Sequence, residues 1–172
     1  MYNKLLTTQE HILRYRNSAE LQHSRFIQAW RQSNYPQVLI ELHFLLVSIN
    51  LVCNNMKVLS RLIGGDAITH EGSIDYSLYR DARNHFEHLD DRLFGSKRNA
   101  PEPVFDGANP RTIHYGLNVR GGKRIFSFGA KEIDVSEKFI KDFLEYVDSF
   151  NQYVPSSVDD ILTFFSNKIE EE

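Results

Sequence analysis

Between Tyr79 and Leu93 the chain crowds arginines, histidines, carboxylates and one asparagine into a single short stretch, Tyr79-Arg80-Asp81-Ala82-Arg83-Asn84-His85-Phe86-Glu87-His88-Leu89-Asp90-Asp91-Arg92-Leu93. Arg83 and His88 are the residues here whose types suit chemistry on a phosphodiester. Cutting RNA through its own 2′-hydroxyl requires three things: a proton removed from that hydroxyl, a proton given to the leaving 5′-oxygen, and a stabilised, charged phosphorane. An imidazole with an ordinary pKa of about 6.5 handles one or both protons at neutral pH. A guanidinium offers a fork of donors to phosphate oxygens and keeps its charge throughout. The product of such a reaction ends in a 2′,3′-cyclic phosphate.

On a helical wheel at about 100° per residue, Leu78, Tyr79, Ala82, Phe86, Leu89 and Leu93 make an apolar stripe. Arg80, Asn84, Glu87, His88 and Asp91 fall on the other side, Arg83 at the stripe's edge, and His85 on the opposite flank, the more buried of the two histidines. Asn84 is a poor residue for the middle of a helix and asks for a reason to be there. Five helical steps separate Arg83 from His88 by about 140°, so one copy holds them poorly convergent. A cleft between two symmetry-related copies would bring two pairs together, and the spacing therefore favours a two-fold homodimer.

Other readings compete for the same face. It could be a solvated surface laced with ion pairs, Arg80 linked to Glu87 through Arg83, and Glu87 to Arg92. Asp81, His85 and His88 fall within about 60° of one another, an alternative two-histidine, one-carboxylate metal face that would need ligands from other helices. Glu20 and His23 have the spacing of half a di-iron site, but no second copy of it exists in the chain. Arg120, Lys123 and Arg124 crowd the predicted hairpin turn with Lys97, Arg98 and Arg111 leading to it, opposed in that stretch by Glu102 and Asp106. These cations, with Arg80, are candidates for holding RNA phosphates, the alternative being a turn charged for solubility. His11, His43, His70 and His114 form no recognisable set, and no metal or cofactor is expected.

The elements that must position these groups are mostly helical. Thr7 and Glu10 are spaced as a capping box and predict a first helix running to about Arg31. Asn34-Tyr35-Pro36 predicts a second helix, apolar on most sides and stopped by Gly64-Gly65-Asp66. The third is expected from near Ser73 to Leu93 or Phe94. Ile113, Tyr115, Leu117 and Val119 then alternate along a strand, and Gly121-Gly122 turns it into a return strand, Arg124 to Phe128. Asp134 and Glu137 signal a fourth long helix with Phe139, Ile140, Phe143, Leu144 and Val147 inside, and Pro155-Ser156-Ser157 introduces a short last one. The expected architecture is mainly α: an up-and-down helical bundle with a β-hairpin, at about 104–133, inserted between the third and fourth long helices.

At 172 residues the chain suits one domain, 1–172. A net charge of −3 excludes a broadly basic nucleic-acid coat, so any RNA contact is local. The single cysteine, Cys53, forbids an internal disulfide, fits a reducing compartment, and sits in an apolar run that suits a small core residue rather than a nucleophile. The N-terminus turns polar too early for a signal peptide. The apolar stretch from Val38 to Val52 is interrupted by Glu41, His43, Ser48 and Asn50, as in a buried helix rather than a membrane span. The expectation is a cytoplasmic protein with no membrane contact.

The string Arg83-Asn84-His85-Phe86-Glu87-His88, on the third long helix of a small bundle, resembles the signature of the HEPN superfamily (higher eukaryotes and prokaryotes nucleotide-binding domains). The resemblance covers about fifteen residues around the motif and is architectural elsewhere. It implies metal-independent RNA cleavage at a homodimer interface, often by a toxin or antiphage effector with an antitoxin partner. On it, Arg83 and His88 are the catalytic pair and Asn84 orients them. It also admits a non-catalytic module that binds RNA, nucleotide or a protein partner. Some toxin members carry a tyrosine two residues after the motif histidine; Asp90 stands there in this chain, which makes a nucleotide-transferring antitoxin a less obvious partner.

Overall fold

The computed structural model describes residues 2–87, 104–106, 109–111, 115–129 and 131–155. It is mainly helical: α1 (Tyr2–Arg31), α2 (Tyr35–Ile63), α3 (Gly65–Glu71), α4 (Ser77–Glu87) and α5 (Glu137–Phe150), followed by a 3-10 turn at Asn151–Tyr153. Among the described residues, five short strands lie between α4 and α5: β1 (Val104–Asp106), β2 (Asn109–Arg111), β3 (Tyr115–Arg120), β4 (Lys123–Phe128) and β5 (Lys131–Asp134).

The link between α1 and α2 is three residues long, so α2 folds back along α1. Asn34 caps α2, its Oδ1 accepting from the Gln37 amide at 3.4 Å, and Pro36 sits in the first turn, where its missing N–H costs nothing. The polar interruptions of α2 are accommodated inside the fold. Gln37 donates to buried Glu41 at 2.7 Å, and Ser48 shares a hydrogen bond with Ser18 of α1 at 2.9 Å. Among the described helices α2 is long and apolar enough to cross a membrane by length and composition, and half of that stretch is buried in the bundle.

Several boundaries depart from expectation. The helix of Thr7 and Glu10 begins earlier, at Tyr2; Thr8 bonds back to the Lys4 carbonyl at 2.6 Å, so the presumed capping box lies inside the helix. Gly64, at φ 85°, ends α2 as expected, but a further helix, α3, follows at once. The motif helix is therefore the fourth, and it starts at Ser77 rather than near Ser73. Asp75 holds that start, accepting from the Ser77 amide at 2.8 Å and its hydroxyl at 2.9 Å. Those bonds, the backbone one first, keep the Asp75 carboxyl below its ordinary range. The predicted continuation to Leu93 or Phe94 and the short last helix lie outside the described residues.

The hairpin turns where predicted, Gly121 and Gly122 both taking positive φ. It is not a hairpin alone. β5 adds to β4, with Phe126 opposite Ile133, to make an antiparallel sheet in the order β3-β4-β5, while β1 and β2 pair separately. Val119 was expected to share the inner face with Leu117; Leu117 packs on the core, but Val119, at the sheet's tip, is exposed. Phe126 and Phe128 enter the core from β4, with Ile133 from β5. α5 opens with Ser136, not Asp134, as its N-cap: the Ser136 hydroxyl accepts from the Phe139 amide, and Asp134 accepts from the Ser136 amide. Phe139, Ile140, Phe143 and Val147 are buried as expected, whereas Leu144 lines a groove.

His23 of α1 is buried and donates from Nε2 to the Val135 carbonyl at 3.1 Å, tying α1 to the entry of α5. Burial pushes its pKa below the ordinary value of 6.5. The folded protein therefore keeps His23 neutral while the unfolded chain takes up a proton, and this contribution to stability is complete above the unfolded pKa and declines as pH falls below it. Urea midpoints should drop between pH 7 and pH 5, with a shallower drop for His23→Asn. Equal slopes in the two proteins would contradict the assignment.

Candidate functional site

α4 is held on three sides. Tyr79 stacks on Phe139 of α5 at 4.5 Å between ring centroids, and its hydroxyl donates to the Asp134 carbonyl at 2.9 Å. Burial drives the Tyr79 phenol well above its usual pKa, so it stays a donor. Ala82 is fully buried. Phe86 lies between two parallel rings, His43 of α2 at 5.3 Å and Phe126 of β4 at 5.4 Å. Phe126 stacks on Phe128 at 5.8 Å, and Phe128 meets His85 at 5.6 Å, so a chain of rings leaves α4 at Phe86 and returns at His85. Leu78, assigned to the apolar stripe, is exposed instead.

This packing fixes what the motif presents. His85 is 1% exposed, a core histidine as its flank position suggested. Arg83 keeps about a quarter of its side chain in solvent, and its Nη2 donates to Glu87 Oε2 at 2.5 Å, the i,i+4 pair that helix spacing allows. Its Nε is buried and meets no acceptor among the described residues. Asn84 is half-buried. His88 lies outside the described residues, with Asp90, Asp91 and Arg92. The acidic neighbours that are described do not stand alone: Glu87 is matched by Arg83, and Asp81 by Lys131 at 2.7 Å, with Arg80 at 3.8 Å.

The alternative metal face of Asp81, His85 and His88 loses support from its described members. Asp81 is engaged by Lys131 of β5, while His85 packs inward on Phe128. Among the described residues no group of three or more His, Cys, Asp or Glu could hold a metal ion. Glu20 and His23 also part company, Glu20 bonding to Arg16 at 2.5 Å and His23 to Val135.

The candidate substrate-binding cations are paired as well, and with carboxylates outside the stretch that was counted against them. Arg120 makes two bonds of 3.1 Å to Glu132, Lys123 lies 3.5 Å from Asp134, and Arg124 bonds to Glu137 over the Trp30 ring. Glu132 and Asp134 come from β5, the unanticipated strand, and Glu137 from the start of α5. The hairpin tip is thus much less basic than its own residues suggest, and Lys123 at its base lies about 17 Å along β4 from Phe128, where His85 packs. Arg80 remains largely exposed and lines a cleft of about 360 Å³ with Asn54, Lys57, Glu71 and Tyr146. Cys53 borders the same cleft; burial pushes its thiol up to about 12, so it is protonated at neutral pH and no nucleophile.

A larger groove, about 870 Å³, runs between α1 and α5, over Ile27, Ile140 and Leu144 and under the Arg16–Asp148 pair at 2.7 Å, and none of the motif residues lines it. His43 was missed as a member of the site. Nothing near it in sequence marks it, since its partner Phe86 is more than forty positions away. No family model matches the chain, and neither a curated protein nor a solved structure matches it.

Proposed function

We propose that this protein is a metal-independent endoribonuclease of the HEPN type, acting as a homodimer, with Arg83 and His88 as its catalytic pair and Asn84 orienting them. The observation that carries this reading is the setting of Arg83. α4 is anchored through Tyr79, His85 and Phe86, and Arg83 stands at the edge of that anchor, part-exposed, on a carboxylate partner one turn away. A guanidinium so held is oriented before substrate arrives and retains donors for phosphate oxygens. Its attraction for RNA is less opposed by acidic neighbours than the sequence suggests, since Asp81 and Glu87 each face a cation. Arg80 supplies the nearest exposed cation on the same helix, and the hairpin residues Arg120, Lys123 and Arg124 would have to exchange carboxylate for phosphate to contribute. The chemistry fits a toxin or antiphage effector kept in check by an antitoxin protein.

The same ion pairs favour a second reading, a non-catalytic module of this type that binds RNA, nucleotide or a protein partner. Purified protein incubated with structured and unstructured RNA in EDTA, beside Arg83→Ala and His88→Ala, separates the two. Cleavage that both variants lose supports the nuclease. Intact RNA that is still retained by the protein supports the module. Activity only on addition of a divalent metal would return the case to Asp81, His85 and His88.

A further inference from the structure

α2 turns one polar stripe into the cleft beside Arg80. Asn50, Cys53, Asn54 and Lys57 fall within about 100° of one another around the helix, and all four line that cleft. Asn50 is the deepest of them, 5% exposed. Asn55, outside the stripe, donates its amide to the Leu51 carbonyl at 2.7 Å, a common use of a helical asparagine. Asn50 makes no such bond: among the described residues its amide has no hydrogen-bond partner, and neither does that of Asn54. A buried amide without a partner is a cost to the fold, removed when a group in the cleft bonds to it.

The rest of the cleft narrows what that group is. A volume of about 360 Å³ suits one nucleoside rather than a strand. The rings of Tyr76 and Tyr146, 5.5 Å apart, line it with Ile49 and Ile74, and a base stacks on surfaces of this kind. The Cys53 thiol among them is uncharged. Two cations, Lys57 and Arg80, are exposed and so lie toward the mouth. Lys57 has no ion pair among the described residues, and Arg80 has Asp81 only at 3.8 Å. Two carboxylates line the cleft as well. Asp75 is taken up by the Ser77 amide and hydroxyl, and Glu71 is an acceptor of the kind that takes a ribose hydroxyl.

An amide offers a donor beside an acceptor. Adenine matches that pattern on either edge, through N6–H with N7 or with N1, whereas guanine shows two acceptors on its N7 edge and favours a cation there. In this cleft the amide is inside and the cations are at the mouth. We infer that the cleft is the subsite for one unpaired adenosine of the RNA strand, its base on the Asn50 amide with Asn54 beside it, and an adjoining phosphate on Arg80 and Lys57. The inference rests on the RNA reading of the motif helix and gives it a base preference. Arg80 and Arg83 are separated by about 4.5 Å along α4 and about 60° around it, so a strand seated in the cleft carries a neighbouring phosphate toward Arg83.

Oligouridylate strands with and without a single adenosine test the subsite, by cleavage in EDTA and by fluorescence anisotropy in parallel. Wild type should cut the adenosine strand at a bond beside the adenosine and bind it about ten-fold more tightly than the all-uridine strand, the discrimination one bidentate amide contact supplies. Asn50→Leu, which keeps the branched shape and removes the amide, should lose that preference in both assays. Because Asn50 is buried, circular dichroism is recorded alongside, and the exposed Asn54→Ala should weaken the preference with the fold unchanged. A preference for another base, or one that both variants retain, would overturn the subsite, as would binding of free adenosine monophosphate with no preference in the strand. Adenosine-selective binding without cleavage, lost in Asn50→Leu, would keep the subsite and remove the ribonuclease. Cleavage without base preference would keep the ribonuclease and remove the subsite.

Discussion

Replacing Arg83 by alanine is expected to slow RNA cleavage in EDTA by about two to three orders of magnitude, the loss typical when one preorganised donor to a transition-state oxyanion is removed. Arg83→Lys should restore little of it. A lysine ammonium is a single point charge on a flexible stem, whereas the Arg83 guanidinium is fixed by Glu87 at 2.5 Å and keeps further N–H groups for phosphate. Because Arg83 keeps only about a quarter of its side chain in solvent, alanine should also lose the packing of its stem, so the stability cost is about 1–2 kcal/mol, and less for lysine, which keeps the stem. Single-turnover cleavage rates with unfolding midpoints measured alongside check both halves. A variant that cuts at the wild-type rate would remove Arg83 from the chemistry, and one that unfolds readily would make its role structural.

Phe126→Ala should have the largest effect on stability, about 3–5 kcal/mol by urea unfolding. Phe126 is fully buried, packed in the core from β4, and its ring separates Phe86 from Phe128 in the chain of rings that fixes α4 to the sheet. Truncation would leave a cavity and strip Phe86 of a parallel neighbour on the side of the sheet, leaving the stack on His43. The loosening should reach the motif, so cleavage should fall even at temperatures where the variant is folded. Val38→Ala, in the buried part of α2, is the control: it also opens core space, but at a position about 140° around that helix from His43. A Phe126→Ala protein as stable as wild type would contradict the packing described here.

What could be read from sequence was local. Asn34 followed by Pro36 marked the start of α2, Gly121-Gly122 the turn, and the spacing of Phe139, Ile140, Phe143 and Val147 the inner face of α5, because each signal acts within a turn or two of the chain. The burial of His85 followed from its place on the wheel in the same way. What depends on distant partners was not legible. Along the chain the hairpin cations have Glu102 and Asp106 before them, while Glu132, Asp134 and Glu137 answer them across the sheet and from α5. β5 is four residues long, too short for alternation to stand out, and pairs only because β4 offers it an edge. His43 had no visible connection to the motif until α2 and α4 were brought together through Phe86. Thr7 and Glu10 had the spacing of a cap, but α1 continues past them to Tyr2, which makes the pattern coincidental.

The 3′ ends of the RNA fragments test the central claim most directly. Mass spectrometry of the fragments released in EDTA should find 2′,3′-cyclic phosphate with the wild type and no such ends with His88→Ala. Fragments ending in a 3′-hydroxyl, or the same cyclic ends from His88→Ala, would contradict cleavage by the Arg83–His88 pair.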